Sequence, residues 1–333
     1  MKCVRLWARD PAMPMHDPTG GSILVVAGTH GNERHAPWLL QQWQSQPQAL
    51  QRHGLELQLV LGNAEAHRQN RRYIDRDLNR CFDPGLLEDP NAQALEVQRA
   101  RELLKLYGPQ GEQPALVVVD LHSTTAAMGN SLVVYGRRPA DLALAAGLQQ
   151  CLGLPVYLHE ADQAQHGFLV ECWPCGLVIE VGPVPQGVLQ AAICRQTQLA
   201  LEAVFAVLAA AASGQLCLPP ELVVHRHLGS IDLPRHPDGT PAALLHPGLQ
   251  GCDWQPLQPR DPVMVDGAGQ VIALEAVLPP ALAGRQRYWP LFINEAAYGE
   301  KGIAFSLTAR ECWALPAGAA AGLEQLAAQL RRC

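Results

Sequence analysis

The sequence lacks the features that would tie it to nucleic acid or to a membrane. Its formal net charge is -6 and it contains no block of like charges, so neither nucleic acid nor an anionic membrane is expected as a partner. Its longest apolar stretch, Ala203 to Ala212, is too short to span a bilayer and predicts a buried helix. A small molecule is therefore the expected partner.

The sequence also lacks an export signal and the common nucleotide-binding motifs. Met1 to Arg5 do not open a continuous apolar segment, which predicts a cytoplasmic protein. Because the cytosol keeps thiols reduced, the ten cysteines are expected to be free. Cys172 and Cys175 have redox spacing, but they precede a strand-like run and are interpreted as unpaired thiols in a turn. Neither a dinucleotide-binding fingerprint nor a P-loop is present.

At 333 residues the chain is long enough for two domains. Up to Ser213, strand-like runs alternate with helical patterns, which predicts an α/β sandwich around a largely parallel sheet. Strands are predicted at 23–27, 55–61, 116–122, 132–135 and 177–181, and helices at 34–42, 91–107, 140–152 and 188–212.

Beyond Gly214 the helical pattern disappears until Ala317. Short β-like pieces broken by Pro and Gly take its place, at 221–227, 242–246, 262–265, 271–274 and 292–294. We therefore predict an α/β domain at residues 1–213 and a smaller, mainly β domain at 214–333.

An imidazole and a carboxylate follow the first apolar run at a spacing suited to a metal. His30 and Glu33 are three residues apart in the turn between a predicted strand, Ile23 to Ala27, and a predicted helix. Side chains at this spacing can reach one ion. Alone, the spacing is common by chance, so the rest of the chain must support it.

Two further polar residues end apolar strands. His122 closes one, and Glu180 is the single carboxylate in another, where an ionised group must be paired, protonated or near a cation. Ligands bind at the carboxyl edge of open α/β sheets. His30, Glu33 and His122 with an open fourth position match the ligand set of a catalytic zinc. Glu180 is then interpreted as the base that takes a proton from the attacking water.

Other polar residues leave alternatives open. The segment from Arg68 to Arg80 is rich in Arg and is either a solvated excursion, the preferred interpretation, or an anion-binding wall. His225 and His227 alternate along a predicted strand without a nearby acidic or Cys partner, so they are interpreted as surface residues.

Five sequence blocks, in this order, resemble the aspartoacylase/succinylglutamate desuccinylase family. They are Gly28-Thr29-His30-Gly31-Asn32-Glu33, Arg72-Tyr73-Ile74-Asp75-Arg76-Asp77-Leu78-Asn79-Arg80, Asp120-Leu121-His122-Ser123-Thr124-Thr125, Ile179-Glu180-Val181-Gly182-Pro183 with Pro185-Gln186-Gly187-Val188, and Ile293-Asn294-Glu295-Ala296-Ala297-Tyr298. The resemblance implies a carboxypeptidase A-like zinc-hydrolase sandwich as the catalytic domain and a C-terminal β domain that closes the substrate pocket. It also implies an aspartoacylase-type zinc amidohydrolase, which splits an N-acyl amino acid at a linear amide.

The resemblance implies a role for each matching residue. One zinc per chain would be held by His30, Glu33 and His122, with Glu180 as general base and Arg72 polarising the scissile carbonyl. Asn79 and Arg80 would grip the α-carboxylate, and Tyr298 would close the pocket. Asp77 is expected to orient Arg72 or Arg80. Asp120 either fixes the tautomer of a ligand imidazole or has a structural role only.

The chain departs from the family in one segment. Animal aspartoacylases carry another Arg shortly before the segment that leads to the catalytic Glu, whereas Gln165 to Glu171 contains none. N-acetyl-L-aspartate, split to acetate and L-aspartate, is the first-ranked substrate, with His166 as a partial substitute for the Arg. The alternative is a deacylase for N-acetylated uncharged or aromatic amino acids.

Two further classes of function rank lower. A non-catalytic zinc-dependent binding protein would be expected to have lost Glu180, and a peptide carboxypeptidase is disfavoured by a closed pocket. Homo-oligomerisation is left open.

Overall fold

The computed structural model describes residues 20–160 and 165–332. The stretch from Met1 to Arg5, on which the expectation about export rests, lies outside these ranges. So do Cys3 and Cys333. The other eight cysteines are free, as predicted.

The described residues form strands and helices in alternation up to residue 213. The strands are β1 (Ser22–Ala27), β2 (Leu57–Leu61), β3 (Ala115–Ser123), β4 (Gly129–Tyr135), β5 (Val156–His159), β6 (Cys175–Gly182), β7 (Glu221–Asp232), β8 (Ala243–Leu245), β9 (Pro262–Asp266), β10 (Val271–Ala273), β11 (Trp289–Leu291) and β12 (Ile303–Ala314). The helices are α1 (His35–Ser45), α2 (Ala64–Gln69), α3 (Pro84–Glu88), α4 (Leu95–Tyr107), α5 (Pro139–Leu152), α6 (Ala191–Ala212), α7 (Leu274–Val277), α8 (Ala296–Gly299) and α9 (Ala319–Ala327). Short 3₁₀ helices lie at Pro47–Ala49, Leu78–Arg80, Leu169–Cys172 and Pro280–Leu282.

The four helices predicted before residue 213 are present. The sequence patterns missed β5, β11 and β12 and the short helices α2, α3, α7 and α8. The strand predicted at 292–294 is wrong. Phe292 and Asn294 follow β11 and both have a φ of 55°, a left-handed conformation that an extended strand excludes.

Nine strands form one mixed sheet in the order β11-β12-β7-β5-β4-β6-β3-β1-β2. Neighbours run parallel from β2 through β1 and β3 to β6, whereas β4 is antiparallel to β6. β7 then pairs in parallel with β5. β12 is antiparallel to β7, and β11 is antiparallel to β12 and forms the edge of the sheet. A three-stranded sheet of β8, β9 and β10 stands apart. The predicted α/β sandwich is confirmed.

The sheet is covered on both faces, and strand alternation decides which side chains meet which layer. On one face, side chains such as Ile23 and Val25 share a buried core with residues of α1, α5, α6 and α9. On the other, Leu24 and Val118 share a core with residues of α4 and with Trp173. Because Asp120 and His122 alternate in phase with Val118, they are directed to this second face.

The long helix α6 belongs to the first of these layers. By length and composition alone it could cross a bilayer, a test that buried core helices also pass. Ten of its residues are buried, and it contacts α5, α9 and β6. The predicted buried helix is thus confirmed.

The C-terminal residues return to the start of the sheet. α9 contacts α5 and α6, and Leu330 forms a β-bridge with Gly21. The Gly21 amide donates to the Gln329 carbonyl at 3.0 Å, and the Arg331 amide donates to the Gly21 carbonyl at 2.8 Å. The boundary at 213/214 stays a prediction; the sheet itself continues from β5 into β7.

Candidate metal centre and substrate pocket

The turn after β1 brings the first two candidate ligands together. Gly28 has a φ of 70°, which lets the chain turn sharply where the strand ends. At Gly31 the backbone passes so close to α2 that a Cβ would lie 2.1 Å from the Ala66 carbonyl carbon. His30 and Glu33 lie in this turn before α1, and His30 Nδ1 is 2.6 Å from Glu33 Oε1.

His122 on β3 completes the cluster. His122 Nδ1 lies 3.1 Å from Glu33 Oε2, and one potential ligand atom from each of His30, Glu33 and His122 lies within 4.8 Å of the other two. All three side chains are buried. Burial would raise the pKa of Glu33, but His30 and His122 hold it well below its usual range. The three predicted ligands therefore share one site.

An aspartate contacts the far nitrogen of each imidazole. His30 Nε2 lies 3.0 Å from Asp77 Oδ1, and His122 Nε2 lies 2.7 Å from Asp120 Oδ2. If each Nε2 carries the proton, each Nδ1 keeps its lone pair toward Glu33, as metal ligation requires. The tautomer-fixing contact expected of Asp120 is present, and Thr29 in turn donates to Asp120 at 2.7 Å.

The charge balance of this cluster fits a divalent cation. Glu33, Asp77 and Asp120 are three carboxylates, and Arg72 is the guanidinium in contact with two of them, at 3.1 Å from Asp77 and 3.7 Å from Glu33. The carboxylates in contact with the two imidazoles and Arg72 thus outnumber the guanidinium that pairs with them. Buried charges need compensation, and a divalent cation among the two imidazoles and Glu33 would supply it.

Glu180 lies beside the cluster on the neighbouring strand, where β6 aligns it with His122. It is 9% exposed and lines the same cavity as His30, Glu33 and His122. Burial raises the pKa of Glu180 well above its usual value, although His122 opposes the shift. A raised pKa suits a carboxyl group to accept and return a proton during a reaction.

The Arg-rich loop supplies the polar wall of this cavity. Arg72, Asn79 and Arg80 line it, whereas Arg71 and Arg76 are exposed. The preferred interpretation of the loop as a surface excursion is therefore wrong for its pocket residues. Asp77 pairs with Arg72, as expected, and its contact with His30 was not foreseen.

Local contacts position Asn79 and Arg80. Asn79 Oδ1 accepts from the Leu169 amide at 2.9 Å. Arg80 donates to Gln165 Oε1 at 2.9 Å, and its guanidinium carbon lies 4.2 Å from the centre of the Phe168 ring. The segment without the expected Arg thus packs directly on Arg80.

Aromatic side chains also line the cavity, and the sequence analysis missed them. Tyr135 stacks on Phe168 at 3.9 Å between ring centres, and His159 meets the Phe168 ring edge-on at 5.2 Å. Tyr157 and Phe292 also line the cavity. Tyr135 ends β4 next to His159, which ends β5, and Tyr157 lies two residues before His159.

The C-terminal part of the chain contributes Tyr298 and Glu295 to the cavity. The Tyr298 hydroxyl lies 3.4 Å from Ser306 Oγ, and burial raises the pKa of Tyr298 to about 12, so it stays protonated. Glu295 accepts hydrogen bonds from the Thr124 hydroxyl and, at 2.8 Å, from the Thr125 amide. It thereby fixes the loop that follows His122.

Three other candidates lie elsewhere. The His166 side chain is exposed and pairs with Asp83 at 3.0 Å; it does not line the cavity and cannot replace an Arg there. His225 and His227 are buried, so their interpretation as surface residues is wrong: β5 and β12 flank β7 on both sides. His227 Nδ1 lies 2.9 Å from the Tyr157 hydroxyl.

The cavity at the ligand cluster is small. Its water-accessible volume is about 80 Å³, whereas a groove of about 630 Å³ between Gln258 and Tyr288 holds none of the candidate site residues. The chemistry of the lining residues, not the size of the groove, identifies the functional site.

Comparisons with known proteins agree with this geometry. Residues 19–208 match the succinylglutamate desuccinylase/aspartoacylase catalytic domain, and residues 220–310 match the AstE/AspA barrel-sandwich hybrid domain. A probable aspartoacylase of Parasynechococcus marenigrum (strain WH8102) is 58% identical over 91% of this chain and 98% of its own. A probable aspartoacylase of Prochlorococcus marinus (strain MIT 9313) is 54% identical over 92% of this chain and 99% of its own.

A solved structure is similar over the same length. The crystal structure of murine aminoacylase 3 shares 33% identity and a TM-score of 0.78, covering 91% of this chain and 99% of that one. The similarity thus includes both the part that carries the ligand cluster and the part that carries Tyr298.

Proposed function

The chain belongs to the succinylglutamate desuccinylase/aspartoacylase family, and on that premise we propose that it is a zinc-dependent deacylase of N-acyl amino acids. The family membership makes it an amidohydrolase that acts on N-acyl amino acids. The observation that carries the metal proposal is the buried cluster of His30, Glu33 and His122, with an aspartate on the far nitrogen of each imidazole. When bound, zinc supplies a Lewis acid for the scissile carbonyl and the attacking water.

Glu180 is the proposed general base. Its burial and raised pKa suit a group that accepts a proton from the attacking water and returns it to the departing amine nitrogen. Arg72 acts on Glu180 electrostatically, but among the described residues its ion pairs go to Glu33 and Asp77 and not to Glu180, which favours a chemical role for Glu180 over a purely structural one. The same reasoning disfavours a non-catalytic binding protein.

Two arginines are proposed to bind different groups of the substrate. Arg72 lies against Glu33, next to the ligand cluster, and is placed to polarise the scissile carbonyl. Arg80, with Asn79 beside it, lies further from the cluster and is proposed to bind the α-carboxylate, for which a guanidinium fork is well matched.

The substrate's side chain distinguishes the two candidate substrate classes. N-acetyl-L-aspartate would need a cation for its second carboxylate, and Arg72 and Arg80 are the arginines among the described lining residues. Phe168, Tyr135 and His159, which contact one another, add an aromatic lining to the same cavity. This lining favours the second candidate, a deacylase that accepts uncharged or aromatic side chains.

A panel of N-acetyl amino acids tests the proposal. We expect zinc-loaded protein to release acetate from N-acetyl-phenylalanine or N-acetyl-tyrosine. We also expect its kcat/KM for N-acetyl-aspartate to exceed that for uncharged substrates by a much smaller factor than a buried ion pair would give. A charged hydrogen bond contributes typically about 1.5–3 kcal/mol. A preference for N-acetyl-aspartate above roughly a thousandfold, about 4 kcal/mol, would point to a further cation. Hydrolysis of no member of the panel would refute the deacylase assignment.

We also propose a cytoplasmic location. The eight described cysteines are all free thiols, which suits a reducing compartment.

A further inference from the structure

We propose that Glu96, outside the substrate cavity, sets the conformation of the loop that carries Arg72, Asn79 and Arg80. The inference rests on the proposed function, because that function gives the three side chains their role. Glu96 is a positioning residue: it lies on α4 and is not among the residues that line the cavity.

Glu96 is a fully buried carboxylate with four hydrogen-bond donors around it. Its side chain is 0% exposed. Oε1 accepts from Asn63 Nδ2 at 2.9 Å and from the Ile74 amide at 2.6 Å. Oε2 accepts from the Asp75 amide at 3.1 Å and the Arg76 amide at 3.2 Å. Three consecutive backbone N–H groups therefore converge on one side chain.

The loop needs such a partner because it has no regular structure of its own. Residues 71–77 belong to neither helix nor strand. The Arg71 amide donates to the Ala66 carbonyl of α2 at 3.0 Å, whereas the amides of Ile74, Asp75 and Arg76 donate to Glu96. Backbone N–H groups away from water require an acceptor. Glu96 supplies it for the middle of the loop, between Arg72 and Asp77.

A reciprocal bond fixes the loop to α4. Asp75 Oδ2 accepts from the Leu95 amide at 2.8 Å, so the loop caps the helix that supplies Glu96. α4 in turn is held by the buried side chains Val97, Ala100 and Leu103. The loop is thereby anchored to a helix that is itself packed in the core.

The ends of the loop are attached to the ligand cluster. The Gly31 amide donates to the Arg72 carbonyl at 3.1 Å, and Asp77 Oδ1 accepts from the Asn79 amide at 3.0 Å. Only the middle of the loop depends on Glu96. Loss of that carboxylate should change the spacing between Arg72 and the pair Asn79 and Arg80, which bind different parts of the substrate.

The substitution Glu96→Gln tests this directly. An amide group presents one oxygen and one NH₂, so one of the two donor pairs loses its acceptor in either orientation. The matched control is Glu102→Gln, because Glu102 lies on the same helix but is exposed and pairs with Arg99. Both variants are compared with wild type for zinc content and melting temperature.

The kinetic readout is the preference for an α-carboxylate. N-acetyl-phenylalanine and its α-amide differ only in the group that Asn79 and Arg80 are proposed to bind. We expect the ratio of their kcat/KM values to fall at least tenfold in Glu96→Gln and to stay unchanged in Glu102→Gln. General destabilisation would lower the melting temperature and leave the ratio unchanged, and that result would overturn the proposal.

A second readout does not need enzyme activity. Arg71 and Arg76 are exposed trypsin sites within the loop. If the loop becomes more mobile in folded Glu96→Gln protein, trypsin should cleave after these two residues several-fold faster than in wild type. If wild type hydrolyses no substrate, the proposed function fails while this arm still tests Glu96. Unchanged cleavage and, where activity exists, an unchanged ratio refute the inference.

If Glu96→Gln does not fold, Asp75→Ala takes its place. It removes the reciprocal bond to the Leu95 amide from an exposed side chain. The same two readouts should move in the same direction by a few-fold, and a folded Asp75→Ala protein with both unchanged would overturn the proposal.

Discussion

At the scale of single residues, the chemistry depends on polar side chains that apolar strands deliver to one place. His122 and Glu180 are adjacent in register on β3 and β6, and the turn after β1 places His30 and Glu33 against them. These residues could be predicted because each lies at or just beyond the end of an apolar run. Tyr135 and His159 could not, since an aromatic residue at a strand end is as typical of a core as of a pocket.

Replacing Glu180 separates a chemical role from a structural one. Glu180→Gln keeps the shape of the side chain but cannot accept a proton, so turnover should fall about a hundredfold or more, with zinc content and melting temperature retained. Zinc, melting temperature and kcat should be measured on one preparation. A folded, zinc-loaded variant with substantial activity would remove Glu180 from the mechanism.

Replacing His122 tests the ligand assignment. His122→Ala leaves two of three protein ligands, so zinc measured after dialysis should fall far below one per chain. Asp120→Asn, which only weakens the orientation of the imidazole, should lower zinc affinity by about 10- to 100-fold. His166→Ala, an exposed histidine paired with Asp83, is the control and should keep its zinc. Full zinc in His122→Ala would contradict the assignment.

At the scale of elements, the loop after β3 is held by two carboxylates from the C-terminal part of the chain. Glu295 binds Thr124 and Thr125. Asp253 accepts from the Ala127 amide at 3.2 Å and from the Ile293 amide at 3.1 Å. The loop that follows His122 is therefore fixed by side chains that are far from it in the sequence.

The Asp253 carboxyl gives this junction a pH dependence. Burial raises the pKa of Asp253 from 3.8 to about 6. Below pH 3.8 it is protonated in both the folded and the unfolded chain. Between pH 3.8 and about 6 Asp253 is ionised in the unfolded chain but still largely protonated in the folded chain. The contribution of Asp253 to the free energy of unfolding therefore falls by up to ~3 kcal/mol as the pH rises through this range, and it stays constant above it.

Asp253→Asn should remove that component. Urea unfolding of wild type and variant at pH 4 and pH 7 should show the difference in free energy shifting in favour of the variant as the pH rises. Parallel pH profiles for the two proteins would show that Asp253 does not titrate in this range.

Elements were predictable where pattern and propensity agreed. The apolar runs of β1, β3 and β6 are buried on both faces and appear in the sequence as continuous stretches. β12 escaped notice because polar residues interrupt its apolar positions, so it contains no continuous apolar run, and because its position depends on pairing with the distant β7. The turn at Phe292 reads as a strand locally, but tertiary contacts hold it in a left-handed conformation.

At the scale of the whole molecule, the residues after 213 complete the sheet. Among them, β7 pairs with the edge of β5, and α9 packs on α5 and α6. A fragment of residues 1–213 would expose the edge of β5 and the apolar surfaces beneath α9, and such edges promote aggregation. We expect this fragment to be insoluble or to bind hydrophobic dyes, by contrast with the full chain. A monomeric, cooperatively unfolding fragment would contradict this.

The bridge between Gly21 and Leu330 has a consequence for synthesis. Both residues belong to the same layer of the structure, yet about 310 residues separate them. At roughly 5–20 residues per second, a ribosome needs about 15–60 s to make the intervening chain. Gly21, the residue before β1, must wait that long for this contact, whereas the sheet partners of β1, β2 and β3, are complete by residue 123.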